Sequence, residues 1–288
     1  MSEIQNIQWF PGHMTKTKRQ IKESLKLIDA VAEVVDARIP FSSRNPDLPE
    51  MTENKPRIIL LNKCDMADKA VTDRWINYFR QQGIPALPID CRSGTGLNAF
   101  VPTVRELLSD RLERLKAKGM VGKTLRVMVV GIPNVGKSSF INRMARATKA
   151  KVEDRPGVTR GNQWFAISGG IDLLDTPGVL WPKFDDQSVA QRLAFTGAIR
   201  DNILDVESLA MKFIETLPKD CFGMLCERYK LTDTDGLDSY EMLELIGRKR
   251  GMLVSRGEID TERAAIMLLD EFRAAKIGRI SLEVPERM

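Results

Sequence analysis

A chain of 288 residues with 43% apolar side chains can build one large or two modest cores and needs no covalent or metal staple to fold. Four cysteines (Cys64, Cys91, Cys221, Cys226) and a single histidine exclude a disulfide framework and a zinc cluster, and fit reduced thiols in a cytoplasmic protein. The net charge of +5 and pI near 9.0 lean toward polyanionic partners, while the absence of an apolar run of roughly 18 residues excludes a membrane helix.

The N-terminal stretch MSEIQNIQWF has no basic-then-apolar leader pattern, so a cytoplasmic location without stable membrane association is expected. Basic residues concentrate in two tracts, 14–26 and 105–126, each readable as a solvated helix face or as a nucleic-acid surface. From residue 31 to about 178 short β-branched runs (VAEVVDA, PRIILLN, ALPID, LRVMVVG, QWFAI, IDLLD) alternate with helical patterns over 14–27, 70–82, 97–118 and 137–146. Such alternation predicts a mostly parallel sheet covered on both faces. Beyond about residue 187 the pattern becomes helical throughout, over 187–199, 205–217, 221–229, 239–249 and 260–275. The expected organisation is therefore a 1–185 α/β domain and a 186–288 all-helical domain, joined by VLWPKFDD at 179–186.

Asn62-Lys63-x-Asp65 closes the strand RIILL. A carboxylate there can accept from both N1–H and the 2-amino group of guanine, an amide can sit beside N7 and O6, and a lysine stem can cover the ring. Adenine offers no such donor pair. Asp90-Cys91-Arg92, at the end of ALPI, is placed where a loop would bring a backbone N–H to the guanine O6.

Gly131–Ser138 matches G-x-x-x-x-G-K-S in full, between an apolar strand and a helix. Asn134, Val135, Gly136, Lys137, Ser138 and Ser139 belong to this phosphate cradle. Lys137 is expected on the β and γ phosphates and Ser138 on Mg²⁺. Asp175-Thr-Pro-Gly178 follows IDLL as a Walker B carboxylate on Mg²⁺, with Gly178 donating to the γ phosphate. Thr159, within RPGVTRG at 155–161, is the candidate switch threonine on Mg²⁺ and γ phosphate.

The base-binding strands thus precede the phosphate-binding strands, the reverse of the ordinary order. The expected fold is a circularly permuted P-loop GTPase domain with a mostly parallel sheet, followed by an all-α C-terminal domain. In it, the helical domain hangs directly from the second switch and can report the presence of γ phosphate.

With motif order NKxD, GxPNxGKS, PGxT, DTPG, and with WFPGHM at 9–14, VVDARIP at 34–40 and RNP at 44–46, the whole chain resembles the circularly permuted ribosome-biogenesis GTPases of the YlqF type. The resemblance implies a GTPase that binds the maturing large ribosomal subunit, contacts ribosomal RNA and ribosomal proteins, and is stimulated by that particle to hydrolyse GTP to GDP and leave. It also implies an RNA-binding helical domain, although 187–288 carries 15 Lys and Arg against 18 Asp and Glu, with its basic residues clustered in GRKRGMLVSRG. A monomer is the default.

Ras-like enzymes place a water-orienting glutamine after D-x-x-G, whereas here Val179 and Leu180 follow, so unassisted hydrolysis should be slow. Two residues are candidates to compensate. Asn134 stands where related GTPases help bind K⁺, and His13 in WFPGHM can orient water if docking swings it toward the γ phosphate. The competing reading is a nucleotide-stabilised RNA scaffold with vestigial hydrolysis. Trp9, Phe10, Trp164 and Trp181 can stack on bases, but core packing is their commoner use.

Overall fold

The computed structural model describes residues 23–52, 55–120, 122–147, 152–153, 163–176, 186–199, 201, 205–254 and 257–285. Among these residues seven strands form one sheet: β1 (Ala30–Asp36), β2 (Arg57–Asn62), β3 (Ala86–Ile89), β4 (Leu125–Val130), β5 (Val152–Glu153), β6 (Gln163–Ile167) and β7 (Ile171–Asp175). Their spatial order is β3-β2-β1-β4-β7-β6-β5. Strands β3, β2, β1, β4 and β7 run parallel, whereas β6 and β5 are antiparallel additions at one edge.

β4 sits at the centre, with β1–β3 on one side and β5–β7 on the other. The strands that come first in the chain therefore form one flank of the phosphate-loop strand, as a permuted order requires. Since β2, β3, β4 and β7 are parallel, the loops after them all emerge at one end of the sheet, the end where open α/β sheets bind ligands.

Alternate residues of each strand face opposite layers. Ala32, Val34, Ile58, Leu60, Val127 and Val129 pack with helices α3 (Phe100–Leu107) and α5 (Lys137–Ala147) through Phe100, Val104, Phe140 and Ile141. On the other face Val35, Ile59 and Leu61 pack with α2 (Lys69–Gln81) through Val71, Trp75 and Phe79. Trp164 is buried with Met128 and Leu174 and lies under the Arg126 guanidinium at 5.3 Å, so this tryptophan is a core residue.

Three local features depart from the sequence expectation. The helix expected over 97–118 is a 3₁₀ turn at Leu97–Ala99, then α3, then α4 (Ser109–Ala117). It breaks at Leu108 (φ −108°, ψ 19°) because Leu108 turns into the core, whereas no residue of α4 is buried. A four-residue helix, α1 (Leu48–Met51), and the two-residue strand β5 are too short to leave a periodic signal.

Among the described residues five helices follow: α6 (Gln187–Phe195), α7 (Val206–Thr216), α8 (Lys219–Tyr229), α9 (Ser239–Lys249) and α10 (Thr261–Arg273). Asp186, Asp205, Asp238 and Asp260 each cap a helix start with a side-chain oxygen, and α9 has a full capping box with Glu241. The only β pairing among the described residues here is the bridge Leu253–Ile259. No described helix is long and apolar enough to cross a membrane.

The chain then returns to the sheet. Leu282 N–H donates to the Arg38 carbonyl (2.9 Å) and the Trp75 indole N–H to the Glu283 carbonyl (3.1 Å). The Glu283 carboxylate, 2% exposed as a residue, accepts the backbone N–H of Phe41 (2.7 Å) and Ser42 and the Ser42 hydroxyl. Burial pushes the Glu283 carboxyl up, against the opposing pull of these donors and Arg192. Residues 280–284 thus strap the helical bundle to the loop that follows β1.

Candidate nucleotide site

The phosphate loop has the strained backbone that an inward-facing anion nest requires. Asn134 adopts φ 62°, and Gly136, at φ 99°, passes so close to the Asn62 amide that a Cβ there would collide with it. Lys137 opens α5 and is almost buried at 8% exposure, donating to the Ile132 carbonyl at 3.2 Å. Burial drags its pKa down to about 8, with the Asp175 carboxylate pulling the other way. Asp175, at the end of β7, is pushed up by its own burial and pulled down by Lys137. The next residue, Thr176, fixes this strand end by donating its hydroxyl to the Val129 carbonyl at 2.6 Å. Ser138 and Ser139 are exposed on the first turn of α5.

Asn62 does more than the sequence reading asked of it. Its Nδ2 donates to the Val135 carbonyl at 2.7 Å and its Oδ1 accepts the Cys91 N–H at 3.2 Å, a pattern that fixes the amide orientation. The amide expected beside guanine N7 and O6 thus also clamps the phosphate loop to the loop after β3, using one of its two N–H donors to do so. Asp90 likewise builds its own loop, accepting the backbone N–H of Arg92 (2.7 Å) and Ser93 (3.1 Å); burial pushes its pKa up, but the Ser93 hydroxyl and these N–H groups together outweigh it and lower the pKa. The N–H groups of Cys91 and Arg92, expected to face guanine O6, are thus held within the protein. The Cys91 thiol is buried and pushed up to about 12, an inert position. Arg92 is exposed.

Lys63 sits in the left-handed region (φ 62°) with its ammonium 3.0 Å from Asp36, an anchor that holds its stem in place. Asp65 is the informative residue. Its Oδ1 is buried and has no hydrogen-bond partner among the described residues, an arrangement that costs about 1–3 kcal/mol unless a ligand donor reaches it. Guanine supplies such donors, so the pocket fits the base. For Mg²⁺, no cluster of three or more acidic, histidine or cysteine side chains that could hold a metal occurs among the described residues. Ser138 and Asp175 supply one hydroxyl and one carboxylate at the phosphate end, the sparse donor set of an ion shared with nucleotide phosphates and water. His13, Thr159, Gly178, Val179 and Leu180 lie outside the described residues.

Sequence reading missed a second set of residues behind the loops. Asp36, at the end of β1, pairs with Lys63 and grips Arg38 twice (Nε 2.9 Å, Nη2 2.7 Å). Burial opposes its charge, yet Arg38 and Lys63 together hold it far below the usual carboxylate range. Arg38, 1% exposed, lies over the Phe272 ring at 5.1 Å and donates to the Arg273 carbonyl at 3.5 Å. Arg273 in turn caps the end of α6 through the Phe195 (3.0 Å) and Ala194 (2.9 Å) carbonyls. The turn after α6 closes the circuit, because the Gly197 carbonyl accepts Asn134 Nδ2 at 2.9 Å. The visible signal was two charged residues in VVDARIP at the end of a strand pattern interrupted only by Glu33, where burial demands pairing.

A permuted parallel sheet, a P-loop at the head of a helix and an Asn-Lys-x-Asp loop clamped to it define a GTPase. The family described as 50S ribosome-binding GTPase matches residues 126–230, beginning within β4. Ribosome biogenesis GTPase A of Priestia megaterium is 48% identical over 97% of this chain and 97% of its own. GDP-bound YlqF superposes with a TM-score of 0.67 at 29% identity, covering 93% of this chain and 100% of that one. GNP-bound YlqF from T. maritima does so with a TM-score of 0.63 at 30% identity, covering 94% and 99%. The chain belongs to the ribosome biogenesis GTPase A family, with GTP and GDP as its nucleotides and a role in ribosome assembly.

Proposed function

We propose that this GTPase binds the maturing large ribosomal subunit as a monomer in the cytoplasm, contacts ribosomal RNA, and is released when the particle stimulates GTP hydrolysis. The observation that carries the proposal is the circuit joining both nucleotide loops to the helical bundle, through Lys63–Asp36–Arg38–Arg273 on one side and Asn134–Gly197 on the other. A nucleotide that reshapes the base loop acts on the buried Asp36–Arg38 pair, whose disruption is costly, and one that reshapes the phosphate loop acts on the Asn134–Gly197 hydrogen bond, so the 1–185 and 186–288 domains respond together.

In this reading Asp65 selects guanine and Asn62 keeps the base loop in register with the phosphate loop. Lys137 and the N–H groups of the nest hold the phosphates. Ser138, Asp175 and Thr159 would hold Mg²⁺, which would supply charge neutralisation at the phosphates. Gly178 donates to the γ phosphate, and His13 orients water once the particle has placed it. Asn134 has Oδ1 left for K⁺ because its Nδ2 is committed to Gly197, so cation binding and the helical bundle meet at one side chain.

The test is affinity for large ribosomal subunits with GDP against a non-hydrolysable GTP analogue, in the native chain and in Asn134→Ala. A preference of tenfold or more for one nucleotide state, reduced in the variant, is expected. Equal affinities in the native chain would favour the scaffold with vestigial hydrolysis.

A further inference from the structure

The stretch 105–126 carries seven basic against three acidic residues, and so holds four of the chain's five excess positive charges. The fold places it at the start of β4, where Leu125 pairs with Ile171, and so at the opposite end of the sheet from the C-terminal ends of β2, β3, β4 and β7. There α3, α4 and the β6–β7 turn enclose a cavity of about 380 Å³. Arg105, Lys116 and Lys123 line it, and all three are exposed. Its floor is small and apolar, made of Leu112, Leu115 and the half-exposed Met120, beside the bare backbone of Gly169 and Gly170 at φ 76° and 70°.

No acidic residue is among the described residues that line this cavity. Glu106 lines a separate groove, and Asp110 falls, by helical spacing, on the side of α4 opposite Leu112 and Leu115, with Glu113 at the border of the two faces. Asp29 is occupied by Arg111 and by the Arg126 N–H. Arg105 uses one arm of its fork on the Gly169 carbonyl (2.8 Å), and Lys116 and Lys123 take part in no ion pair among the described residues. Unpaired cations around a concavity whose floor fits one ring or ribose match the phosphate-and-base repeat of RNA. A membrane face would need a broad apolar stripe, and α4 buries none of its residues and offers only Leu112 and Leu115.

We infer that this underside cavity is an RNA-backbone docking site, with Arg105, Lys116 and Lys123 on phosphates. It rests on the rRNA-binding reading above and assigns part of that contact to the GTPase domain, remote from the nucleotide. Docking here leaves the nucleotide loops and the helical bundle free to move.

The experiment compares the native chain with Lys116→Gln/Lys123→Gln, with GTP bound, for binding to rRNA stripped from large ribosomal subunits across a KCl series. Turnover without the particle serves as the folding control and is expected unchanged. The double variant should bind roughly tenfold more weakly at low salt, with the slope of log affinity against log salt reduced by about 2. An unchanged slope in a variant that binds normally overturns the site while leaving the functional reading intact. Failure of the native chain to bind rRNA overturns both. A loss seen only with phosphatidylglycerol vesicles or an acidic peptide would also overturn the RNA assignment.

Discussion

Asp65→Asn is expected to weaken GTP by two to three decades and to admit xanthosine triphosphate. The carboxylate presents a buried Oδ1 with no partner among the described residues, so the substitution breaks no hydrogen bond seen within the chain and should leave the fold intact. Its effect falls on the ligand. An ionised carboxylate accepts from two guanine donors, at about 1.5–3 kcal/mol for each bond to a charged group. An amide keeps one acceptor and sets its own NH₂ against the other donor, for a loss of about 3–4 kcal/mol. Xanthine has a carbonyl where guanine has the 2-amino group, so the same NH₂ becomes complementary. Competition titration with GTP, ATP and xanthosine triphosphate reads this directly, and an unaltered base preference would remove Asp65 from the base site.

Lys137→Ala should cost GTP about a hundredfold in affinity, from the loss of charge-assisted bonds worth about 3 kcal/mol. The native lysine also sets a pH signature with two opposite signs. Its pKa in the nucleotide-free fold is about 8 against an ordinary 10.5, so the unfolded chain binds more protons between those values. Stability of the nucleotide-free protein therefore rises with pH across that window. Phosphates restore the ammonium, so nucleotide binding takes up a proton above about pH 8 and affinity falls as pH rises further. Calorimetric titration in buffers of different ionisation enthalpy would show the uptake, and its persistence in Lys137→Ala would assign it elsewhere.

The nucleotide loops were legible in sequence because each is a local pattern in a required setting: Gly131–Ser138 between strand and helix, Asn62–Asp65 and Asp175 at strand ends. The permuted sheet followed from their order. What stayed hidden depends on contacts between residues far apart in the chain. Nothing in NKCD says that Asn62 spends its amide on Val135 and Cys91, and nothing near Glu283 says that it caps the Phe41–Ser42 backbone. The Asp36–Arg38 pair was half-visible as charge at the edge of an apolar run, but its role depends on Phe272 and Arg273, which only the fold brings near. Leu108 broke a helix that periodicity alone would continue, because burial outweighed propensity.

A GTPase switched by the particle it helps to build is the function proposed for this chain. Its most direct test is GTP turnover by the purified protein with and without large ribosomal subunits, in matched KCl and NaCl. Strong stimulation by the subunit, greater in K⁺, is the predicted result. Tight subunit binding with no stimulation in either salt would contradict it and leave a nucleotide-stabilised RNA scaffold in its place.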